Sequence, residues 1–210
     1  MYKLYYAPGA ASLAVHWMLI ELGVPFEAIR LDLGSRQHKQ PDYLKLNPNG
    51  LVPTLVVDGT PVYECAALLL LLAERHPDAA LAPALGSAER LAYLQWMTHL
   101  TNTVQANFRG WFHPEEIDGD EIAPRIQRFA RGQTEEAWNR VDAQLAATGG
   151  YIVGRTLTAA DFLATMLVRW SRNMPRPGTQ WPAIRDYVAR MKARPSFATL
   201  YEREGLTEWA

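Results

Sequence analysis

The pattern of apolar and polar positions alternates between strand and helix signals at the start of the chain. Residues 3–7 form a short run of strand-forming side chains, and Pro8-Gly9 then turns the chain into a helix over residues 12–22 that Gly23 ends. Residues 26–33 alternate apolar and polar side chains, which predicts a strand with one buried face. The expected order is therefore strand, helix, strand.

A hairpin and a leucine-rich helix are predicted next. Residues 52–57 and 61–63 flank Asp58-Gly59, the commonest type of tight hairpin signal, so these two strands should be antiparallel. A short helix is expected near residues 42–46, and the leucine-rich helix follows the hairpin. The order of elements predicts a thioredoxin-like α/β domain over residues 1–77.

The rest of the chain has a helical period. Trp138, Val141 and Leu145 are spaced at i, i+3 and i+7, as expected on one face of a helix. Residues 78–86 contain a proline and a glycine without a clear period, which is typical of a linker. We therefore expect an α/β domain, a linker over residues 78–86 and an all-α helical bundle over residues 87–210.

The segment 47–55 carries the first candidate chemistry. Pro53 interrupts its apolar run, and because proline donates no ladder hydrogen bond it belongs at the start or the edge of a strand. The backbone of Val52 is then free to pair with an extended peptide, while Glu64 and the helix amides after it offer charge and donors to the peptide's polar end. The segment predicts recognition of a small charged peptide.

Composition excludes several partners. The 210 residues carry a net charge of -1, without the concentrated basic face that nucleic acid requires. A single cysteine excludes an internal disulfide and fits a reducing cytoplasm. The apolar run 65–73 is too short to span a bilayer, no signal peptide is indicated, and the five histidines show no metal-ligand spacing. We expect a cytoplasmic protein without membrane, nucleic-acid or metal partners.

Several motifs together resemble the bacterial glutathione S-transferases, closest to the beta class, along nearly the whole chain. The segments that carry this resemblance are Tyr5–Ala14, 47–55, Glu64-Cys65 and 154–162. The last of them also has a physical reading, because Thr158 and Asp161 can form a capping box at the start of a helix. That device supports folding and lies outside the active site.

The resemblance implies a glutathione transferase fold, glutathione as co-substrate, no metal and a homodimer in which the glutathione domain of one subunit lies against the helical domain of the other. The positions that match the family's glutathione site are Ala11, Leu51, Val52, Pro53, Glu64 and Cys65. Two positions depart from the beta class, since its cysteine would fall at Ala11 and its histidine near Gln105. Alanine cannot form a mixed disulfide with glutathione, so that chemistry is excluded at position 11.

The chemistry expected of the family is ionisation of the glutathione thiol. Amides and the Ser12 hydroxyl at the start of the first helix could donate to the sulfur, and Tyr6 offers a second hydroxyl. The alternative for Ser12 is a helix N-cap, and for Tyr6 a core aromatic with its hydroxyl at the surface. Cys65 would begin a helix, where a thiolate is favoured, but most free cysteines act as small buried hydrophobes. We predict Ser12 and Tyr6 as the catalytic residues.

Residues for the second substrate are expected near the end of the first long helix of the helical domain. The candidates there are Gln105, Phe108, Arg109 and Phe112. An aromatic-lined cleft suits an apolar or aromatic electrophile, and Arg109 would favour an anionic one. An equally good interpretation makes the aromatic residues interdomain core and Arg109 a solvated side chain.

These observations predict an enzyme, a glutathione transferase that conjugates glutathione to a small apolar or aromatic electrophile, as in detoxification. Two alternatives on the same fold stay open. One is a non-catalytic glutathione- or ligand-binding protein, and the other is a glutathione-dependent disulfide or hydroperoxide reductase that uses the bound thiol itself.

Overall fold

A computed structural model describes residues 1–209 and contains a four-stranded mixed sheet. Its strands are β1 (Tyr2–Tyr6), β2 (Phe26–Arg30), β3 (Thr54–Val57) and β4 (Thr60–Tyr63), in the order β2-β1-β3-β4. β1 pairs with β2 in parallel, whereas the β1–β3 and β3–β4 pairs are antiparallel. The prediction of a thioredoxin-like sheet is confirmed.

The helices of this layer are α1 (Ser12–Glu21), α2 (Pro41–Leu44) and α3 (Cys65–Arg75). Eight of the ten α1 residues are buried, so this helix forms much of the core beside the sheet. At the β3–β4 hairpin, Asp58 and Gly59 have φ angles of +51° and +89°, as a two-residue turn with matching twist requires. The hairpin prediction is confirmed.

Two predicted strands are shorter than expected. β2 ends at Arg30 and not at Leu33, which is 38% exposed, because the Asp32 carboxylate accepts hydrogen bonds from the amides of Gly34 and Ser35 and starts a turn. β3 begins at Thr54, directly after Pro53, because proline has no N–H to donate to a strand ladder; the Val52-Pro53 peptide bond is cis. Local turn chemistry overrides the alternating pattern in the first case.

The remaining chain is helical. Its helices are α4 (Ala88–His99), α5 (Ala106–Phe112), α6 (Glu115–Thr148), α7 (Ala159–Trp170), α8 (Pro182–Lys192) and α9 (Pro195–Glu204), and a π-helical stretch (Leu100–Gln105) joins α4 to α5. The α6 run is interrupted at Asp118 and Gly119, whose backbone angles are not helical. The expected capping box of α7 is present, because the Thr158 amide donates to Asp161 at 2.7 Å. Burial raises the pKa of Asp161 to about 6.

The chain forms two compact units, and the C-terminal segment belongs to the first of them. One unit contains residues 1–82 together with the segment from residue 192 onward, and the other is Pro83–Met191. The sequence-based expectation assigned all of residues 87–210 to the helical domain. The difference arises because α9 packs on α1, where Trp17 Nε1 donates to Ser196 Oγ at 2.8 Å and Arg194 pairs with Glu21. The predicted linker at residues 78–86 stays a prediction.

Within residues 1–209, no helix combines the length and the apolar character needed to cross a membrane.

Candidate functional site

The strand register gathers most of the predicted glutathione residues at one edge of the sheet. Thr54 pairs with Tyr5 on one side and with Tyr63 on the other. The residues next in line therefore lie at the same end of the sheet: Tyr6 ends β1, Pro53 precedes β3 and Glu64 follows β4. We call this end, formed by Tyr6, Ala11, Val52, Pro53 and Glu64, the sheet edge.

The loop from Ala7 to Ser12 connects β1 to α1 at the sheet edge. The Ser12 hydroxyl donates to the Ala7 carbonyl and accepts from the Ala7 amide, both at 3.1 Å. The Ala10 amide donates to the same carbonyl at 3.2 Å. Gly9, with φ of +69°, donates its amide to Glu204 Oε2 at 2.8 Å. Each of these bonds holds the loop in one shape.

The geometry of Ser12 differs from the expectation of a hydroxyl facing the ligand. Its side chain is fully buried, and its one proton is given to Ala7. Ser12 is not the N-cap either, since it is the first residue of α1 and Ala11 occupies the cap position. Ser12 in this structure closes the loop.

Ala11 is the half-buried residue of this loop whose amide is unused. Within residues 1–209 its N–H makes no hydrogen bond, although its carbonyl accepts one from Cys65 Sγ at 3.3 Å. An unpaired N–H at the start of a helix lies at the positive end of the helix dipole. Ala11 therefore offers a donor to an anion.

Cys65 is the first residue of α3 and is buried, with 6% of its surface exposed. Burial raises the pKa of its thiol to about 12, and the Glu64 carboxylate adds to the rise. The thiol is therefore neutral at physiological pH. This favours the small buried hydrophobe over a reactive group.

Tyr6 is buried as well, with 7% exposed, and its ring centre lies 4.8 Å from that of His16. Burial, with the nearby Glu204 charge, raises the pKa of its hydroxyl. The hydroxyl thus stays protonated, as a hydrogen-bond donor must. Whether it contacts a ligand stays a prediction.

The segment before β3 presents unused backbone groups. The Leu51 carbonyl accepts from the Tyr43 hydroxyl at 2.5 Å and from Asn47 Nδ2 at 2.8 Å, so these two side chains fix the loop. Neither the N–H nor the C=O of Val52 is bonded to another of the described residues. Pro53, buried, follows directly. An added strand would find one free donor and one free acceptor at Val52.

A basic segment beside this loop escaped the sequence analysis. Lys39 Nζ donates to the Asn49 carbonyl at 3.1 Å, and a Cβ placed on Gly50 would lie 2.9 Å from both the His38 carbonyl and the Lys39 side chain. Burial and the charges of Lys39 and Arg36 lower the pKa of His38. The sequence signal that could have revealed this segment is the presence of three basic residues, Arg36, His38 and Lys39, within four positions.

Glu64 has the conformation of a constrained site residue. Its φ and ψ are 75° and 107°, an unusual combination for a side chain other than glycine, and its carboxylate is exposed rather than capping α3. The Glu64 side chain makes no hydrogen bond to the amides at the start of α3. It offers an acceptor to a cationic group.

The predicted residues for the second substrate lie in the helical unit. The Phe108 ring, buried, stacks on Phe112 at 5.7 Å and meets Trp170 edge-on at 5.5 Å and Trp138 at 6.4 Å. Phe112 is 45% exposed. We call these four residues the aromatic cluster. Phe108 is core, and Phe112 presents a ring to the outside.

The polar candidates near this cluster are placed differently. Arg109 is exposed and pairs with Glu116, which agrees with the solvated alternative. Gln105 ends the π-helical stretch, and its Oε1 is buried without a partner in the described residues. An unpaired buried acceptor of this kind is costly, and π-helical turns often occur at functional sites.

One group of side chains has metal-ligand types. In residues 1–209, ligand atoms of His113, Glu115 and Glu116 lie within 4.8 Å of one another. All three side chains are exposed, and Glu116 is already paired with Arg109. Exposed carboxylates of this kind are common without an ion, so the expectation of no metal stays a prediction.

Comparisons with known proteins agree with this geometry. Residues 10–75 match the family model of the glutathione S-transferase N-terminal domain, and residues 116–195 match that of the C-terminal domain. Glutathione S-transferase GstA from Escherichia coli O157:H7 is 31% identical over 206 residues, 97% of this chain and 99% of that protein.

Solved structures have the same fold. A bacterial beta class glutathione S-transferase from Sphingomonas chungbukensis is 31% identical, with a TM-score of 0.85 over 98% of this chain and 100% of the other. A sphingomonad glutathione S-transferase in complex with glutathione is 30% identical, with the same TM-score and coverage. A thioredoxin-like sheet followed by a helical bundle is thus this chain's fold class, as predicted. The chain belongs to the glutathione S-transferase family, and the prediction that it is an enzyme of this kind is confirmed.

Proposed function

We propose that this protein conjugates glutathione to a small apolar or aromatic electrophile, with glutathione bound at the sheet edge. The observation that carries the proposal is the unused backbone of Val52 at the same end of the sheet as the exposed Glu64 carboxylate and the unused Ala11 amide. Glutathione is a tripeptide whose backbone can pair with Val52, whose amine is cationic and needs a carboxylate, and whose thiolate needs an N–H donor.

Glutathione is held in this proposal by its backbone and by both charged ends. Val52 pairs with the cysteinyl residue of glutathione, and Glu64 accepts from the γ-glutamyl ammonium. The Cys65 amide donates to the γ-glutamyl carboxylate from the start of α3. Lys39 and the basic segment around it attract the glycyl carboxylate. Leu51, half exposed, and the buried Pro53 shape the loop around Val52.

The thiolate is stabilised by backbone rather than by a protein nucleophile. The Ala11 N–H donates to the sulfur at the positive end of α1, and the Ser12 hydroxyl keeps the loop closed behind it. Tyr6 is the second donor. This arrangement needs neither the cysteine nor the histidine of the beta class, whose positions Ala11 and Gln105 take by resemblance.

The electrophile contacts the aromatic cluster of the helical unit. The exposed Phe112 ring offers a face on which an aromatic substrate can stack, backed by the buried Phe108. Gln105 contributes its unpaired amide oxygen as an acceptor. Arg109, exposed and paired with Glu116, remains at the margin and favours anionic electrophiles.

The protein works as a cytoplasmic, beta-class-like homodimer in this proposal. Leu91 and Leu94 on α4 are 74% and 42% exposed, and apolar side chains of this size support an interface with a second copy. Light scattering tests the assembly, and a mass near 23.6 kDa, the value of a single chain, would contradict it.

One observation favours a second candidate, a glutathione-binding protein without turnover. The Ser12 proton is engaged within the loop, and the one cysteine is neutral and buried, so neither of these two side chains is available to activate the sulfur. Turnover of a chlorinated nitrobenzene with glutathione decides between the two. Glutathione binding by calorimetry without conjugation supports the carrier, whereas turnover of a disulfide or hydroperoxide alone supports the reductase.

A further inference from the structure

A buried carboxylate joins the C-terminal helix to the loop at the sheet edge. Glu204 is the last residue of α9, and its side chain has no exposed surface. Its Oε2 accepts the Gly9 amide at 2.8 Å, and its Oε1 lies 2.8 Å from His16 Nδ1. Both oxygens are therefore used, one by the loop and one by α1.

The burial of this charge needs an explanation. An ionised carboxylate out of water is strongly disfavoured unless it is hydrogen-bonded and paired. His16 is also buried, and its ring centre lies 4.8 Å from that of Tyr6 and 5.5 Å from that of Phe26. A leucine or methionine would fill the same place without this cost, so packing alone does not account for the residue.

The Gly9 bond determines which amide of the loop remains free. The three successive N–H groups of the loop differ in their hydrogen-bond acceptors. Gly9 donates to Glu204, Ala10 donates to Ala7, and Ala11 has no acceptor among residues 1–209. Without the Glu204 carboxylate, the part-buried Gly9 amide would lose this hydrogen bond, and we expect the turn with φ of +69° to rearrange. The direction of the next two amides would change with it.

We propose that Glu204 is a positioning residue for the thiolate site: by holding the Gly9 amide it directs the Ala11 N–H toward the glutathione sulfur. This inference rests on the proposed function, because it concerns the same sulfur site. Glu204 acts through hydrogen-bond geometry rather than through charge, and it does not touch the substrate. His16 fixes the other oxygen and so sets the orientation of the carboxylate.

Three variants test the proposal. Glu204→Met keeps the length of the side chain and removes both acceptors. Glu204→Gln keeps one acceptor for Gly9, while its NH2 can face the other tautomer of His16. Glu202→Met is the matched control, since Glu202 is exposed on the same helix. The measurements are kcat, KM for glutathione, the pKa of the bound thiol from thiolate absorbance, and the melting temperature.

For Glu204→Met we expect kcat to fall about tenfold and the pKa of the bound thiol to rise by about one unit, because a small displacement of a donor weakens an anion site. KM for glutathione should change less than about threefold, since Val52 and Glu64 are untouched. The kcat of Glu204→Gln should lie within about threefold of the wild-type value, because glutamine keeps an acceptor for Gly9. The kcat of the control Glu202→Met should equal the wild-type value.

Three results would overturn the proposal: a Glu204→Met protein that is less stable but has unchanged kcat and thiol pKa, one that does not fold, or a Glu204→Gln protein as impaired as Glu204→Met. The first two results would mean that Glu204 only stabilises the packing of α9. The third would mean that its negative charge, rather than its hydrogen bond to Gly9, matters for activity. A wild-type protein that binds glutathione without lowering its thiol pKa would instead refute the proposed function itself.

Discussion

The sheet edge and the aromatic cluster present different parts of the chain to a ligand. The sheet edge offers mainly backbone: the unused groups of Val52, the Ala11 amide and the start of α3, with one exposed carboxylate at Glu64. The aromatic cluster offers only side chains, and just one of its two phenylalanines is exposed. Backbone groups are set by strand register and turns, whereas the cluster is set by packing.

This difference indicates which of the two proposed substrates, glutathione or the electrophile, each region can recognise. A backbone donor or acceptor recognises a peptide whatever side chains surround it, so the proposed glutathione binding at the sheet edge needs no protein cysteine. An aromatic face recognises area and shape, so the substrate range is expected to follow Phe112 and its neighbours.

The largest expected effect comes from removing the backbone donor at the sheet edge. Ala11 has φ of -60°, which proline also adopts, and its N–H is unbonded, so Ala11→Pro removes one hydrogen-bond donor with little strain. Loss of one donor to an anion in a preorganised site should lower kcat about 100-fold. The test is steady-state conjugation, with Ala11→Gly, which keeps the N–H, as the control. Full activity of the proline variant would remove Ala11 from the mechanism.

The second effect concerns the charge at the sheet edge. Glu64→Ala should weaken glutathione binding about 10- to 100-fold, because a hydrogen bond to a charged group contributes about 1.5 to 3 kcal/mol. Calorimetry measures it. Ser12→Ala, which removes only contacts within the loop, should weaken binding less and lower the melting temperature. Equal affinities of the two variants would mean that the γ-glutamyl end lies elsewhere.

The geometry of the sheet edge follows from sequence patterns because each of its features has a local cause, whereas its role as a glutathione site stays a prediction. The hairpin follows from Asp58-Gly59, the break before β3 from Pro53, and their pairing brings Glu64 to the same end. The orientation of the Ser12 hydroxyl could not be predicted, because a hydroxyl at a helix start can face either the loop or the ligand, and only the folded loop shows that it bonds to Ala7. The catalytic role of Ser12 stays a prediction. The contact of Glu204 with Gly9 could not be predicted, because the two residues are 195 positions apart in the chain.

The aromatic cluster was predicted less completely for the same reason. Spacing on a helix shows that Phe108 and Phe112 are near each other, but not which of them is buried. Trp170 and Trp138 come from other helices and complete the packing. Long-range contacts of this kind leave no local signal.

A smaller effect is expected at the aromatic cluster. Phe112→Ala should raise KM for an aromatic electrophile about fivefold, through the loss of roughly 1 kcal/mol of ring contact, and leave the glutathione affinity unchanged. Phe129→Ala is the matched control, because Phe129 is 69% exposed in the same unit and lies outside the cluster. If both variants behave alike, the electrophile does not use Phe112.

The smallest effect is expected at the cysteine. Cys65→Ser should leave turnover within about twofold, since the buried thiol has a pKa of about 12 and the serine hydroxyl can donate to the Ala11 carbonyl in its place. Thiol-blocking reagents applied to the native protein should not inhibit it. Loss of activity in both experiments would mean that the Cys65 thiol takes part in the reaction.

The central claim is that backbone donors at the sheet edge ionise glutathione without a protein cysteine. The most direct measurement is the pKa of the thiol of glutathione bound to the wild-type protein, followed by thiolate absorbance against pH. The account predicts a value at least about one unit below that of a free cysteine, which is about 8.5. A bound thiol that titrates at the free value would contradict it.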